Sequence, residues 1–241
     1  MKKIFSFCVL GVFLFGSIAS LTYAQKATDI LEKMIEAQGG RKLLGSIKDT
    51  TMVGSMEIAM AGMSASLTMY HKEPNKIRMD FDMMGTVITM AFDGELAWWI
   101  NPQTGATEEM PEDQAEMIVR QAWGNDILLN PDKHGVTYEL KGKETLEGKE
   151  YYVIEQSFPD GWKMTSYIDG QTYLPYKTAF KQISMGVEVE AESYLSDWKK
   201  VDGVMTAHTI KSFASGEEVM TMTFTEIKFN TGIEDSLFKM D

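Results

Sequence analysis

Three histidines, one cysteine and 19 methionines are the residues of this 241-residue chain whose chemistry needs a reading first. His71, His134 and His208 stand too far apart to form a local ligand motif. A lone Cys8 makes no internal disulfide, and thiolate metal sites need several cysteines. There is no GxSxG elbow, HExxH pair or GxGxxG loop. Lys133-His134 and His208 offer no recognisable base-plus-nucleophile arrangement, and a dispersed carboxylate pair of the glycosidase kind has no positive signal. These residues point to a non-enzyme with no cofactor and no metal. Methionine is the exception, because nine of the 19 lie between Met52 and Met90. Thioether sulfurs ligate copper when they converge, but most of these alternate into a sheet core. Methionine is flexible and polarizable, so a wall of it adapts to irregular apolar partners such as acyl chains. The same stripe also suits an ordinary core in which Met replaces Leu or Ile.

Charge and length narrow the classes. The chain carries 23 Lys+Arg against 35 Asp+Glu, a formal charge of -12, which gives no electrostatic grip on a phosphate backbone; no nucleic acid is expected. An apolar fraction of 44% and this length suit one substantial domain. The opening MKKIFSFCVLGVFLFGSIASLTYAQ reads as a secretory signal peptide: Lys2 and Lys3, an apolar run from Ile4 to Ile18, then a more polar end with Ala24 for cleavage. The run is short of the roughly 20 residues a membrane span prefers, and Cys8 lies inside it rather than after it, which argues against lipidation. The expected division is therefore 1–24 as signal peptide and 25–241 as the domain, in the periplasm. Removing 1–24 takes away Lys2, Lys3 and the only cysteine, leaving 21 basic against 35 acidic residues, a charge of -14.

The elements that must position the methionines follow from periodicity. Asp29 and Glu32 have capping-box spacing, and Ile30, Leu31, Met34 and Ala37 share a helical face that Gly39-Gly40 ends. From residue 50 the period becomes two. Met52, Met56, Ile58 and Met60 share one strand side. Met63, Ala65, Leu67 and Met69 form the next, followed by Ile77, Met79, Phe81 and Met83 beyond the Glu73-Pro74-Asn75 turn. Strands over 86–92 and 95–100 flank Asp93-Gly94. A helix is predicted from Pro111 to about Trp123, with Met110, Met117, Ile118 and Ala122 near one face. Strand patterns resume over 136–141, 149–157, 162–168, 174–182, 187–195, 204–213 and 218–229, and Ile233, Leu237 and Phe238 suit a cover over a sheet edge. The expectation is a mainly β chain with α: one strongly curved antiparallel sheet of eleven or twelve strands, with helices covering its concave apolar side.

Single side chains add less. Trp98 and Trp99 must point to opposite sides of a regular strand, and Trp123 near a helix end suits a cavity rim. Arg78 beside Asp80 and Asp82 reads as a salt-bridged sheet surface, and Glu108, Glu109, Glu112, Asp113 and Glu116 as a solvated helix face or a docking face for a basic partner.

Several segments carry a resemblance: EAQGGRKLLGSIKD at 36–49, FDGELAWW at 92–99, YIDGQTYLPYK at 167–177, SDWKKVDGVM at 196–205 and FTEIKFNTGIEDSLF at 224–238. In this order the mature chain resembles the outer-membrane lipoprotein-sorting proteins of the LolA/LolB-like superfamily, in a longer branch. The resemblance implies an unclosed β-barrel with a helical lid over an apolar cavity that receives lipoprotein acyl chains. Placed on the faces read above, the cavity wall is Met56, Met69, Met79, Phe81, Met83, Met90 and Trp98, and the lid is Ile30, Met34, Met117 and Ile118. The family's cargo-contacting arginine is not matched to Arg78 or Arg120, which leaves the cargo open. The implied function is binding or transport of lipoprotein acyl chains or other lipid by a monomer, with transient membrane association. The alternative is an envelope sensor or interaction domain with a protein partner and no cargo transfer.

Overall fold

The computed structural model describes residues 15–184 and 187–240. Most of the expected leader, residues 1–14 with Cys8, lies outside the described residues. Helix α1 (Phe15–Gln38) begins well before Asp29, so Asp29 is interior to the helix rather than its cap. No glycine or proline interrupts the sequence from Ser17 to Gln38, and nothing there stops helix propagation. It ends where Gly39 and Gly40 adopt φ of 130° and 88°, a backbone region that side-chain-bearing residues rarely reach. The short α2 (Arg41–Leu44) follows.

Thirteen strands make one antiparallel sheet: β1 (Asp49–Ile58), β2 (Met63–Lys72), β3 (Lys76–Met83), β4 (Thr86–Phe92), β5 (Ala97–Ile100), β6 (Thr107–Glu109), β7 (Thr137–Leu146), β8 (Lys149–Ser157), β9 (Lys163–Asp169), β10 (Pro175–Ser184), β11 (Val187–Val201), β12 (Val204–Ala214) and β13 (Glu217–Phe229). Between β6 and β7 lie α3 (Glu112–Ala122) and α4 (Asn125–Leu129). The strand order is β6-β5-β4-β3-β2-β1-β13-β12-β11-β10-β9-β8-β7, so every neighbour is a sequence neighbour except that β1 pairs with β13.

This corrects the expected fold class. The fold is mixed α/β with a large antiparallel sheet that is neither closed into a barrel nor strongly curled, rather than a strongly curved unclosed barrel. The reason lies in the segment between the two edges. β6 has only three residues, and the chain then turns helical, so β6 and β7 remain unpaired with each other. Large open sheets exist when helices cover an apolar face, and size alone did not dictate curling.

Register explains how the methionines meet. Ile227, Met52, Met69, Met79, Met90 and Trp99 are paired in turn across β13, β1, β2, β3, β4 and β5, and directly paired residues share a face. A register shift beside Gly54 lets Ile227 oppose Met52 and Phe224 oppose Gly54, although 224 and 227 are an odd number apart. Without that bulge, one of the two would point to the other face.

Two helical covers lie on this face. Met110, Ile118 and Ala122 of the α3 segment join Leu67, Ile77, Met79 and Phe92 in one core, with Phe81, Met90 and Trp99 packed against it. Ile30 and Met34 of α1 join Ile154 and Ile168 in a second. The opposite face carries Trp98, paired with Ala91, which is itself paired with Arg78. There the C-terminal segment lies over the sheet rather than along an edge. Trp98 Nε1 donates to Phe238 O at 2.7 Å, Arg78 donates to Leu237 O at 2.9 Å, and Phe238 is fully buried.

Candidate functional site

A cavity of about 430 Å³ opens between the sheet and the helical layer. Its sheet wall is Thr50, Met52, Met69, Ile77, Leu195, Trp198, Ala207, Ile210, Phe224 and Phe229. Leu44 and Ile47 close one side, and the joint between α3 and α4, Trp123-Gly124-Asn125, closes another. This volume lies within the range of about 300–1,000 Å³ usual for small-molecule pockets. The lining is apolar over most of its extent, and its polar groups come from a few residues: Gln38, Thr50, His71, Glu73, Gln121, Asn125 and Thr206.

The helical joint is fixed to the end of β2. His71 Nε2 donates to Ala122 O at 2.8 Å, and Glu73 Oε1 accepts from Asn125 N–H at 2.8 Å. Between these two bonds sits Gly124, where a Cβ would overlap both the Glu73 carboxyl group and the His71 ring. Glycine is needed there for close approach. Farther along, Asp126 in α4 accepts from Asn130 Nδ2 at 2.6 Å, Lys133 Nζ at 2.7 Å and His134 Nε2 at 2.8 Å. The Lys133 ammonium, then His134 and Asn130, hold the Asp126 carboxyl far below the usual carboxylate range. Arg41 completes the layer by pairing with Glu32 of α1 and donating to Leu129 O of α4 at 2.6 Å.

The residues expected to form the site divide into groups. Met69 lines the cavity. Met79, Phe81 and Met90 share its face but pack into the core beneath α3, while Met56 is buried opposite Met222. Met83 ends β3 half-buried. Trp98 is on the other face, and Trp99 takes the inward position of that pair. Of the lid residues, Ile118 of α3 is buried against the sheet and Ile30 and Met34 are buried on β8 and β9, whereas Met117 is 44% exposed. Trp123 stands on the rim of this cavity and of a smaller one, about 260 Å³, beside Pro74 and His134. Among the described residues, no group of three or more His, Cys, Asp or Glu is placed to hold a metal ion.

A family model described as "Uncharacterized protein" matches residues 82–241, more than half of the chain. The chain belongs to that family. No curated protein matches it. Solved structures that it resembles include a DUF1329 family protein from Desulfovibrio piger, at 15% identity and a TM-score of 0.65, covering 90% of this chain and 97% of that one. A LolA superfamily protein from Nitrosomonas europaea aligns at 18% identity and a TM-score of 0.63, covering 89% and 98%. A domain from Vibrio parahaemolyticus, provisionally described as an outer membrane lipoprotein-sorting protein, aligns at 16% identity and a TM-score of 0.63, covering 90% and 97%. At these identities the likeness establishes a fold shared with these proteins.

Several lining residues carry no signal that sequence spacing assigns to the site. Met52 is the exception, since it shares the stripe of Met56. Phe224 and Phe229 were hidden by the bulge, which breaks the period-two count along β13. Leu44, His71, Glu73 and Asn125 come together only through the docking of the helical joint, and no local spacing signals that.

Proposed function

We propose that residues 25–241 form one LolA/LolB-like domain, exported to the periplasm, that binds or carries lipoprotein acyl chains or other lipid without covalent chemistry. The observation that supports this reading most is the apolar-walled cavity between sheet and helices, with its polar groups drawn from few residues. Each methylene moved from water into such a wall contributes about 0.8 kcal/mol, so even part of an acyl chain supplies useful affinity. The fold shared with proteins named for lipoprotein sorting and the LolA superfamily supports the same direction.

Membrane contact fits a second feature. Met84, at the tip of the β3–β4 hairpin, is 96% exposed and has a φ of 54°. That position usually favours Asn, Asp or Gly, so a fully exposed thioether there is an unusual choice for a surface that meets only water. Met63 and Val87, at the same end of neighbouring strands, are exposed as well.

Delipidated, refolded protein titrated with a fluorescent acyl probe or lipopeptide is expected to show saturable binding. Absence of saturation from protein that unfolds cooperatively would defeat the carrier reading. The alternative of an envelope sensor or interaction domain draws on the close packing of Met79, Phe81 and Met90 under α3, where the methionine wall is core rather than cavity. A stable protein partner recovered from envelope extract, with no lipid on the purified chain, would favour it.

A further inference from the structure

The cavity's charge is one-sided. His71 and Glu73 are the ionisable residues in its lining, and no lysine or arginine joins them among the described residues. Oε1 of Glu73 is engaged by Asn125 N–H, while Oε2 is buried and has no hydrogen-bond partner among the described residues. Buried polar atoms are nearly always paired, and an unpaired carboxylate oxygen is among the more costly exceptions. The His71 ring does not relieve it: Nε2 donates to Ala122 O, and neither ring nitrogen bonds Oε2. Lys72, next in sequence, lies on the other face, held by Asp235 at 2.5 Å and donating to Ile233 O at 2.7 Å. The lining therefore carries one carboxyl group with an unpaired oxygen, and no lysine or arginine stands beside it among the described residues.

From this we infer that the cavity selects amphiphiles whose polar end donates a hydrogen bond and carries no negative charge, such as an ammonium, a hydroxyl or an amide N–H, and disfavours carboxylate-headed chains. The apolar wall of Met52, Met69, Ile77, Ile210 and Phe224 takes the chain, and the Glu73 carboxyl group is the partner of the head. This inference rests on the lipid-binding reading and adds the class of head group. A carboxylate head brought to the same place would set like charge beside Glu73 in a water-poor wall, which works as rejection rather than mere loss of affinity.

The test is competition. A neutral naphthylamine dye is bound to the full mature chain and displaced by dodecylamine, dodecanol or dodecanoate, which share one alkyl chain and differ at the head. Dodecylamine and dodecanol are expected to compete at least about tenfold more strongly than dodecanoate. In Glu73→Gln, dodecanoate should recover most of that gap, with cooperative thermal unfolding confirming that the variant folds. Should wild-type protein bind dodecanoate as tightly as dodecylamine, the head-group inference is overturned while lipid binding stands. Failure of dye and all three competitors to bind overturns both readings.

Discussion

Two contacts at the level of single residues hold the cavity's surroundings in place. Asp49, 4% exposed at the start of β1, accepts from Thr231 N at 2.7 Å, Thr231 Oγ1 at 2.9 Å and Gly232 N at 3.1 Å. Burial alone would raise its pKa, but these donors outweigh burial and hold the carboxyl below its ordinary 3.8. Asp49→Asn puts an amide N–H₂ where three donors converge, and is expected to lower stability by about 2 kcal/mol in urea unfolding; an unchanged midpoint would show that the tail attaches by other means. Gly124 is the second. Replacing it with alanine drives a methyl group into Glu73 and His71, and overpacking of this kind costs about 1–3 kcal/mol. Loss of stability together with faster amide exchange at Asn125 is the expected signature, because the Glu73–Asn125 bond is the first to give way. Neither position announces itself in sequence. Asp49 and Thr231 are joined only when β1 pairs with β13, and Gly124 looks like a helix stop until its neighbours across space are known.

Helices and strands were legible to different degrees. β3 and β8 have the ends read from sequence: in β3 an apolar face over a core leaves a period of two with no competing signal, and in β8 the apolar run Tyr151–Ile154 marks the strand. α3 was legible from Pro111 and its apolar face. β6 was not, since three residues of Thr-Glu-Glu carry no alternation to read. α4 is too short for a helical period to show in sequence; it is a five-residue helix tied by side chains rather than by its own propensity. That gives α4 a pH dependence. In Asp126 and Asp49 the folded-state pKa lies below the ordinary 3.8, so each contributes stability that is present above that value and is lost as pH falls below it. The melting temperature is expected to change little from neutral pH to mildly acidic conditions and then to fall below about pH 4. Asp126→Asn should flatten that acid limb; a limb as steep as wild type would remove α4 from the account.

Across the whole molecule, one open sheet serves two helical covers, and the cavity lies where they leave the sheet face partly uncovered. The methionine stripe predicted an apolar face correctly, yet its members divide between solid core and cavity, a division made by where α3 docks rather than by residue type. Met69 is the wall position where bulk can be added to test the difference. Met69→Trp is expected to weaken acyl-probe binding at least about tenfold, with a folded far-ultraviolet spectrum retained. The central claim is that the acyl chain enters this cavity, and photo-crosslinking tests it most directly. A lipid probe with a diazirine along its chain, irradiated on the mature protein and mapped by peptide mass spectrometry, is predicted to label Met52, Met69, Ile210 and Phe224. Labelling confined to the opposite face, at Tyr194, which adjoins the cavity-lining Leu195 along β11 and so points away from the cavity, with those four residues unmodified, would contradict it.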